Sequence, residues 1–331
     1  MERKERLIKG GFKKQSKMKT LTLEEDGVKR SWLKTFKQQW PLHAMVIPGI
    51  IFVIIFVYIP IYGLVMAFQR FTVMDTFGTA RWVGLENFRI ILNDPFFWDS
   101  VWNTLGISLM KMLFGFVAPI ILAVQIHEMK NGPLKKFIQS VSYLPHFLSW
   151  VILGGMMITW LSTNGLINQI FQLFGGAQNP ENHLLNANAY WLIATLSDVW
   201  KNVGWGTILY LAALSNVDPT YYEAAKIDGA NRLQMIRHIT IPSLRLIISL
   251  NFVLTVSGLL GSNLDQTLVL QNPVNQPASE VIGSYVFRMG IVQGDFSYAT
   301  AVGLGTSIIA LILLLTANGV TKKLNDNESI L

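Results

Sequence analysis

The sequence predicts an all-α integral membrane protein with six membrane-spanning helices. Of its 331 residues, 51% are hydrophobic and only 14% are charged, whereas a soluble domain carries about 25% charged residues. Long apolar segments alternate with short polar ones. Lysine and arginine gather in segments that fall on one side if every apolar segment crosses the membrane. Cysteine is absent, which excludes a disulfide framework and a thiolate metal site.

The chain begins with a polar, basic tail, residues 1–42, which the positive-inside bias places in the cytoplasm. Aromatic residues of Ser31–Trp40 fall near one helical face, which predicts an interfacial helix on the inner leaflet. A disordered basic leader is the alternative. The membrane domain is predicted over residues 43–320, and residues 321–331 return to the cytoplasm. The predicted spans are His43–Phe68, Asn103–Ile126, Phe137–Leu161, Tyr190–Leu214, Pro242–Leu270 and Tyr298–Asn318.

The segments between the spans alternate in composition. Residues 70–99 have nearly balanced charges, and residues 162–189 are almost uncharged and rich in Asn, Gln and Gly. Both are predicted outside, the second with a short interfacial helix over Leu166–Phe174. Residues 271–295 carry proline turn signals and are also placed outside. The lysine-bearing turn 127–136 is inside, so both chain termini are predicted to be cytoplasmic.

A polar island, residues 216–245, separates the fourth and fifth spans. Asp218 can cap a helix, and Pro219 suits the first helical turn, where a missing N–H costs nothing. Gly229 stands where a helix needs a left-handed exit. An ordinary cytoplasmic loop with good capping residues would have the same spacing, so spacing alone leaves the role of this island open.

Several kinds of chemistry are missing from the sequence. No Gly-x-x-x-x-Gly-Lys-Ser/Thr phosphate loop occurs, so the chain is not predicted to bind ATP. His127-Glu128 lacks the second histidine of a zinc-protease motif, and no Gly-x-Ser-x-Gly occurs. The net charge of +7 follows the membrane-orientation pattern and is no evidence for nucleic acid. The protein is therefore predicted to move a solute and not to be an enzyme, with no cofactor or metal of its own.

Polar side chains interrupt the predicted spans, where they are costly and usually mark a pathway or a partner. Asp198 and Lys201 share a helix face and could pair with each other. The alternatives are a structural pair tying helices together, a hydrated helix end at residues 263–266, and an interfacial belt for the aromatics. The predicted substrate-pathway residues are Lys201, Asn202, Trp205, Asn263, Asp265, Gln266 and Tyr285.

The polar island resembles a known motif. Glu223-Ala224-Ala225, Asp228-Gly229-Ala230, Ile239 and Pro242 are similar to the EAA loop of ABC-importer permeases. The usual second proline is replaced by Leu246, which we interpret as a change in how the next helix begins. Elsewhere, Gly84–Phe88 resembles the start of a sugar-importer permease of the MalF type, and Trp200–Trp205 is similar to the run before its coupling loop. Ser284–Arg288 and Asn327–Leu331 resemble the LplB-like branch of that type, which handles oligosaccharides from complex or acidic polysaccharides.

The resemblance implies the type I importer permease fold, with the island acting as a coupling helix that docks on an ATPase. It also implies a second homologous permease, two ATPase subunits that bind ATP and Mg, an extracellular solute-binding protein and an oligosaccharide substrate. The residues implied for coupling are Tyr222, Glu223, Ala224, Ala225, Asp228, Gly229, Ala230 and Arg232. An ATPase-independent channel or ion-driven carrier is the alternative function, and a scaffold that binds through its basic tail is a third.

Overall fold

The computed structural model describes residues 39–72, 74–175, 180–261 and 264–324. The interfacial helix predicted over Ser31–Trp40 lies almost entirely outside these residues, as does Asn263. The chain divides after Tyr62 into two compact units. The helical segment Trp40–Phe68 (α1) runs through α, π and 3-10 geometry, and the side chains of its apolar stretch are not buried.

Apart from one small hairpin, the regular elements in the rest of the described chain are helices. Strands β1, Gln69–Arg70, and β2, Arg81–Trp82, pair antiparallel. The first helices are α2 Glu86–Leu92, α3 Pro95–Glu128, α4 Pro133–Tyr143, α5 Trp150–Trp160, α6 Leu166–Leu173 and α7 Tyr190–Leu214. The later helices are α8 Pro219–Ile227, α9 Arg232–Met235, α10 Arg245–Ser257, α11 Leu264–Leu270, α12 Gln276–Ser279, α13 Ile282–Phe287 and α14 Phe296–Leu324.

Two predicted spans are not continuous helices. In the third, α4 continues as a 3-10 turn over Leu144–Phe147 and is bent by 102° relative to α5. Leu148 and Ser149 are extended there, and the Ser149 side chain caps α5. At the start of the fifth, the helical segment Arg232–Ser243 is bent by 59° from α10. The sequence predicted each of these spans as one segment, and the structure adds the breaks: Pro145 and the Ser149 cap interrupt the third, and Pro242 stands just before the bend of the fifth.

Three described helical segments are long and apolar enough to cross a membrane, namely α1, α3 and α14. The number rises to five if each bent pair forms one span. Helix α7 is not among them, since Asp198, Lys201 and Asn202 lower its hydropathy. The count of six spans therefore remains a prediction, which the observed helices fit.

Polar side chains on one face of the N-terminal part of α3 connect it to the segments around α12 and α13. The amide of Asn103 donates to the carbonyls of Pro277 and Glu280, and the Thr104 hydroxyl accepts from the backbone N–H of Ile282 at 2.8 Å. The Ser108 hydroxyl donates to the carbonyl of Leu259. Broken helices leave backbone groups unsatisfied, and in a membrane these groups need protein partners. The polar face of α3 supplies them.

Helices α3 and α7 pack along much of their length, and α7 also touches the end of α4 backbone to backbone. A Cβ added at Gly204 would lie 1.9 Å from the carbonyl oxygen of Ser142. No other residue type fits there without moving a helix. This contact fixes the bend between α4 and α5 against the middle of α7.

Candidate translocation cavity and coupling surface

A cavity of about 460 Å³ lies between α3, α7, α10 and the start of α5. It contains charged, amide, hydroxyl and aromatic groups in an otherwise apolar helix bundle. The side chains that give it this character are Ser108, Lys111, Phe116, Trp150, Asp198, Lys201, Asn202, Trp205, Tyr210 and Asn251. Such a mixture of stacking surfaces and hydrogen-bonding groups suits a polar solute with apolar ring faces.

Lys111 of α3 is the charged centre of this cavity. Its side chain is buried, its ammonium lies 3.5 Å from the carboxylate of Asp198, and it donates to the amide oxygen of Gln266. The amide nitrogen of Gln266 donates in turn to the Ala194 carbonyl and the Ser197 hydroxyl, each at 2.8 Å. A buried charge needs this kind of paired, hydrogen-bonded environment. Lys111, Asp198 and Gln266 therefore link α3, α7 and α11.

Lys201 of α7 serves a different purpose. Its ammonium donates to the carbonyls of His146 and Leu148, at 2.7 and 2.6 Å. It also lies 5.9 Å from the centre of the Trp150 ring. These carbonyls sit at the bend between α4 and α5, where no helical partner is available. Lys201 and Asp198 share a helix face and could pair, but in the structure the Lys201 ammonium bonds to the carbonyls of the bend and Asp198 forms an ion pair with Lys111.

The structure brings three of the predicted pathway residues, Lys201, Asn202 and Trp205, into one cavity. Gln266 stands behind its wall, 2% exposed and bonded to Lys111. Asp265 does not line the cavity.

Tyr285 lies elsewhere, at the start of α3, where its hydroxyl donates to the Asp94 carboxylate and contacts the Tyr298 hydroxyl at 2.7 Å.

Sequence reasoning left several cavity residues off the predicted set. Lys111 and Tyr210 carry a visible signal, since each is a polar group inside an apolar span. His146, which lies behind the cavity wall, also falls inside a predicted span, but its role depends on contacts with residues more than fifty positions later. Within the described residues, no three His, Asp or Glu side chains come together as a metal site.

The predicted coupling helix is present as α8. The Asp218 carboxylate accepts from the backbone N–H of Thr220 at 2.9 Å, Pro219 opens the helix, and Gly229 follows it at φ +78°. The backbone N–H of Thr220 and then its hydroxyl lower the pKa of Asp218 below its ordinary value. The predicted Asp218 cap and the left-handed helix exit at Gly229 are therefore confirmed.

Two of the predicted coupling residues anchor this surface. The Arg232 guanidinium donates to the carboxylate and to the backbone carbonyl of Glu128, at 2.6 and 2.8 Å. The Tyr222 hydroxyl lies 3.1 Å from the hydroxyl of Thr240. The Arg232 contact joins the polar island to the C-terminal end of α3.

The other predicted coupling residues face outward. Glu223, Ala224, Asp228 and Gly229 are exposed. Ala225, Asp228, Gly229 and Ala230 line one side of a surface groove of about 380 Å³, which Gln234, Met235, His238 and Ile239 complete. Ile227 and Leu233, both large and apolar, are 86% and 73% exposed. We define this coupling surface as the exposed side of residues 219–239.

Known proteins resemble this chain over most of its length. The polygalacturonan/rhamnogalacturonan transport system permease protein YteP of Bacillus subtilis (strain 168) is 37% identical over 299 residues, which cover 90% of this chain and 92% of YteP. Protein LplB of the same organism is 35% identical over 301 residues, or 91% and 94% of the two chains. The relatives described as permeases are transport components, so this chain is a transport component and not an enzyme.

A solved structure shows the same fold. A chain from the crystal structure of a bacterial alginate ABC transporter in complex with alginate pentasaccharide-bound periplasmic protein superposes with a TM-score of 0.82 at 32% identity, covering 90% of this chain and 99% of that one. The predicted all-α importer permease fold is thereby confirmed. Residues 115–326 match the family described as binding-protein-dependent transport system inner membrane component. The chain belongs to this family of membrane-embedded transport permeases.

Proposed function

We propose that this chain is a permease subunit of an ATP-driven, solute-binding-protein-dependent importer of oligosaccharides. The observation that carries the proposal is the 460 Å³ cavity, whose wall combines two lysines, a carboxylate, amides and indole rings. Sugar rings stack on indoles through their C–H faces, and their hydroxyls need donors and acceptors at the edge. The cavity would form half of the pathway, with a second, different permease supplying the other half.

The charges of the cavity favour acidic oligosaccharides. Asp198 balances Lys111, which leaves the positive charge of Lys201 at the bend. A net positive wall attracts a carboxylate-bearing sugar more than a neutral one. The relatives point the same way, since YteP is described for polygalacturonan and rhamnogalacturonan and the structural neighbour for alginate.

Energy for transport would arrive through the coupling surface. Its exposed apolar residues, Ile227 and Leu233, are candidates for burial against an ATPase that binds ATP and Mg. Closure of an ATPase dimer would bring two coupling helices together and turn the cavity outward, and hydrolysis would reset it. This is rigid-body switching between two packed states. An extracellular binding protein would deliver the sugar. The positive-inside bias supports a cytoplasmic location for both termini.

The test is sugar-stimulated ATP hydrolysis by the assembled complex. The chain is co-purified with its second permease and ATPase, reconstituted into liposomes with the binding protein, and assayed with oligogalacturonides. A neutral arabino-oligosaccharide of equal length is the comparison. We expect stimulation that is greater with the acidic sugar. Solute flux through liposomes that contain only the purified chain would contradict the proposal and indicate an ATPase-independent channel or carrier.

A further inference from the structure

His146 lies at the bend between α4 and α5, directly behind the cavity wall. Its imidazole ring stacks on the indole of Trp205, with centroids 4.5 Å apart and planes only 4° from parallel. The neighbouring Phe147 meets the same indole edge to face at 5.8 Å. Trp205 lines the cavity and His146 does not. The orientation of the cavity indole therefore depends on a side chain outside the cavity.

The same imidazole also orients a cavity amide. The His146 Nδ1 lies 3.0 Å from the Asn202 amide oxygen, while the Asn202 amide nitrogen lies 3.3 Å from the Asp198 carboxylate. A carboxylate can only accept, so the Asn202 nitrogen faces Asp198 and its oxygen faces His146. An amide oxygen also only accepts, so Nδ1 of His146 must carry the proton. The network therefore fixes the orientation of the Asn202 amide and the tautomer of His146.

The position of His146 is itself constrained by the backbone. Its carbonyl accepts from the Lys201 ammonium at 2.7 Å. The close contact of Gly204 with the Ser142 carbonyl holds the end of α4 against α7. The ring thus sits on a segment fixed at two points. The plane of the His146 ring therefore sets the orientation of the Trp205 indole, and the direction of its Nδ1–H sets the orientation of the Asn202 amide.

We propose that His146 is a positioning residue that sets the affinity of the cavity for a pyranose ring. It does so by holding the Trp205 indole as a stacking platform and the Asn202 amide at its edge. This inference rests on the proposed function. A sugar that stacks on an indole gains most when the indole is already immobilised in the bound orientation. Loss of the imidazole frees two recognition groups at once.

The experiment uses the reconstituted complex and oligogalacturonide-stimulated ATP hydrolysis. His146→Ala removes the stack and the hydrogen bond, and we expect the half-saturating sugar concentration to rise about tenfold, which corresponds to about 1.4 kcal/mol. His146→Phe keeps a ring against Trp205 and should give a smaller rise. The maximal rate should stay within about twofold, because coupling does not pass through this pair.

A matched control exists in the outer segment. The His183 Nε2 lies 3.0 Å from the Asn168 amide oxygen, and its ring meets Phe171 edge to face. His183→Ala therefore removes the same chemistry away from the cavity and should leave half-saturation unchanged. Equal shifts in His146→Ala and His183→Ala, or no shift in either, would overturn the inference. A wild-type complex that no sugar stimulates would instead overturn the proposed function.

Discussion

The cavity wall and the coupling surface are both polar regions of an apolar chain, but their side chains are used in opposite ways. In the cavity, Lys111, Asp198 and Asn202 bind each other or neighbouring helices. On the coupling surface, Glu223 is exposed, and Asp218, which directly precedes that surface, caps its own helix. Polar groups inside the bundle contribute to its stability, whereas those on α8 are available to a partner.

In a permease, the residues that recognise the solute can therefore be separate from those that receive energy. A pathway must present the same groups to each solute molecule, so its groups are held by second contacts. A docking surface binds a preformed partner, so it needs only a stable helix that is held in place by contacts with the rest of the chain. Arg232 and Tyr222 provide these contacts through Glu128 and Thr240.

The largest expected effect is on the cavity side. Asp198→Ala removes the carboxylate beside the buried Lys111 ammonium, and we expect a loss of about 3 kcal/mol in the free energy of unfolding, because a buried charge is deprived of its counter-charge. Thermal unfolding of the purified protein in lipid nanodiscs measures the loss.

The control is the double variant Lys111→Met with Asp198→Leu, which removes both charges and should recover much of the stability. A single variant as stable as the wild type would show that the cavity wall is not held by this pair.

An intermediate effect is expected on the coupling surface, where a substitution should lower activity and leave stability unchanged. Glu223→Ala should reduce sugar-stimulated ATP hydrolysis about tenfold, within the usual range of coupling free energies. Its melting temperature should match that of the wild type, because the side chain is exposed. Glu181→Ala, which removes an exposed carboxylate between α6 and α7, is the control and should retain full activity. A Glu223→Ala protein with a lower melting temperature and normal sugar-stimulated ATP hydrolysis would show that Glu223 contributes to stability and not to coupling.

The smallest effect concerns the cap of α8. Because the folded-state pKa of Asp218 is lowered, its capping contribution is fully present above the unfolded value of about 3.9 and is lost as pH falls through the folded value. We expect hydrogen exchange of the α8 amides to gain an extra acid-induced increase below about pH 4. Asp218→Asn keeps an acceptor without a charge and should lack this pH dependence. The same profile in both proteins would contradict the capping role.

The sequence predicted some features of the protein well and others poorly, for physical reasons. Helix α8, its Asp218 cap and its Gly229 exit depend on neighbours in sequence, so local rules found them. Membrane helices were recognised from hydropathy, but the 102° bend was not, because Lys201 satisfies its free carbonyls from another helix. Hydropathy marked Lys111 and Asp198 as unusual, yet their pairing depends on how two helices face each other.

The contact between Gly204 and Ser142 has a mechanical consequence. Side chains normally separate two helices and let them slide by changing rotamers, but here backbone rests on backbone. At this point α7 and the end of α4 cannot slide past each other by a change of side-chain rotamer. If the cavity turns outward as proposed above, we expect the rotation to occur where helices are broken. The 59° bend before α10 is one such place.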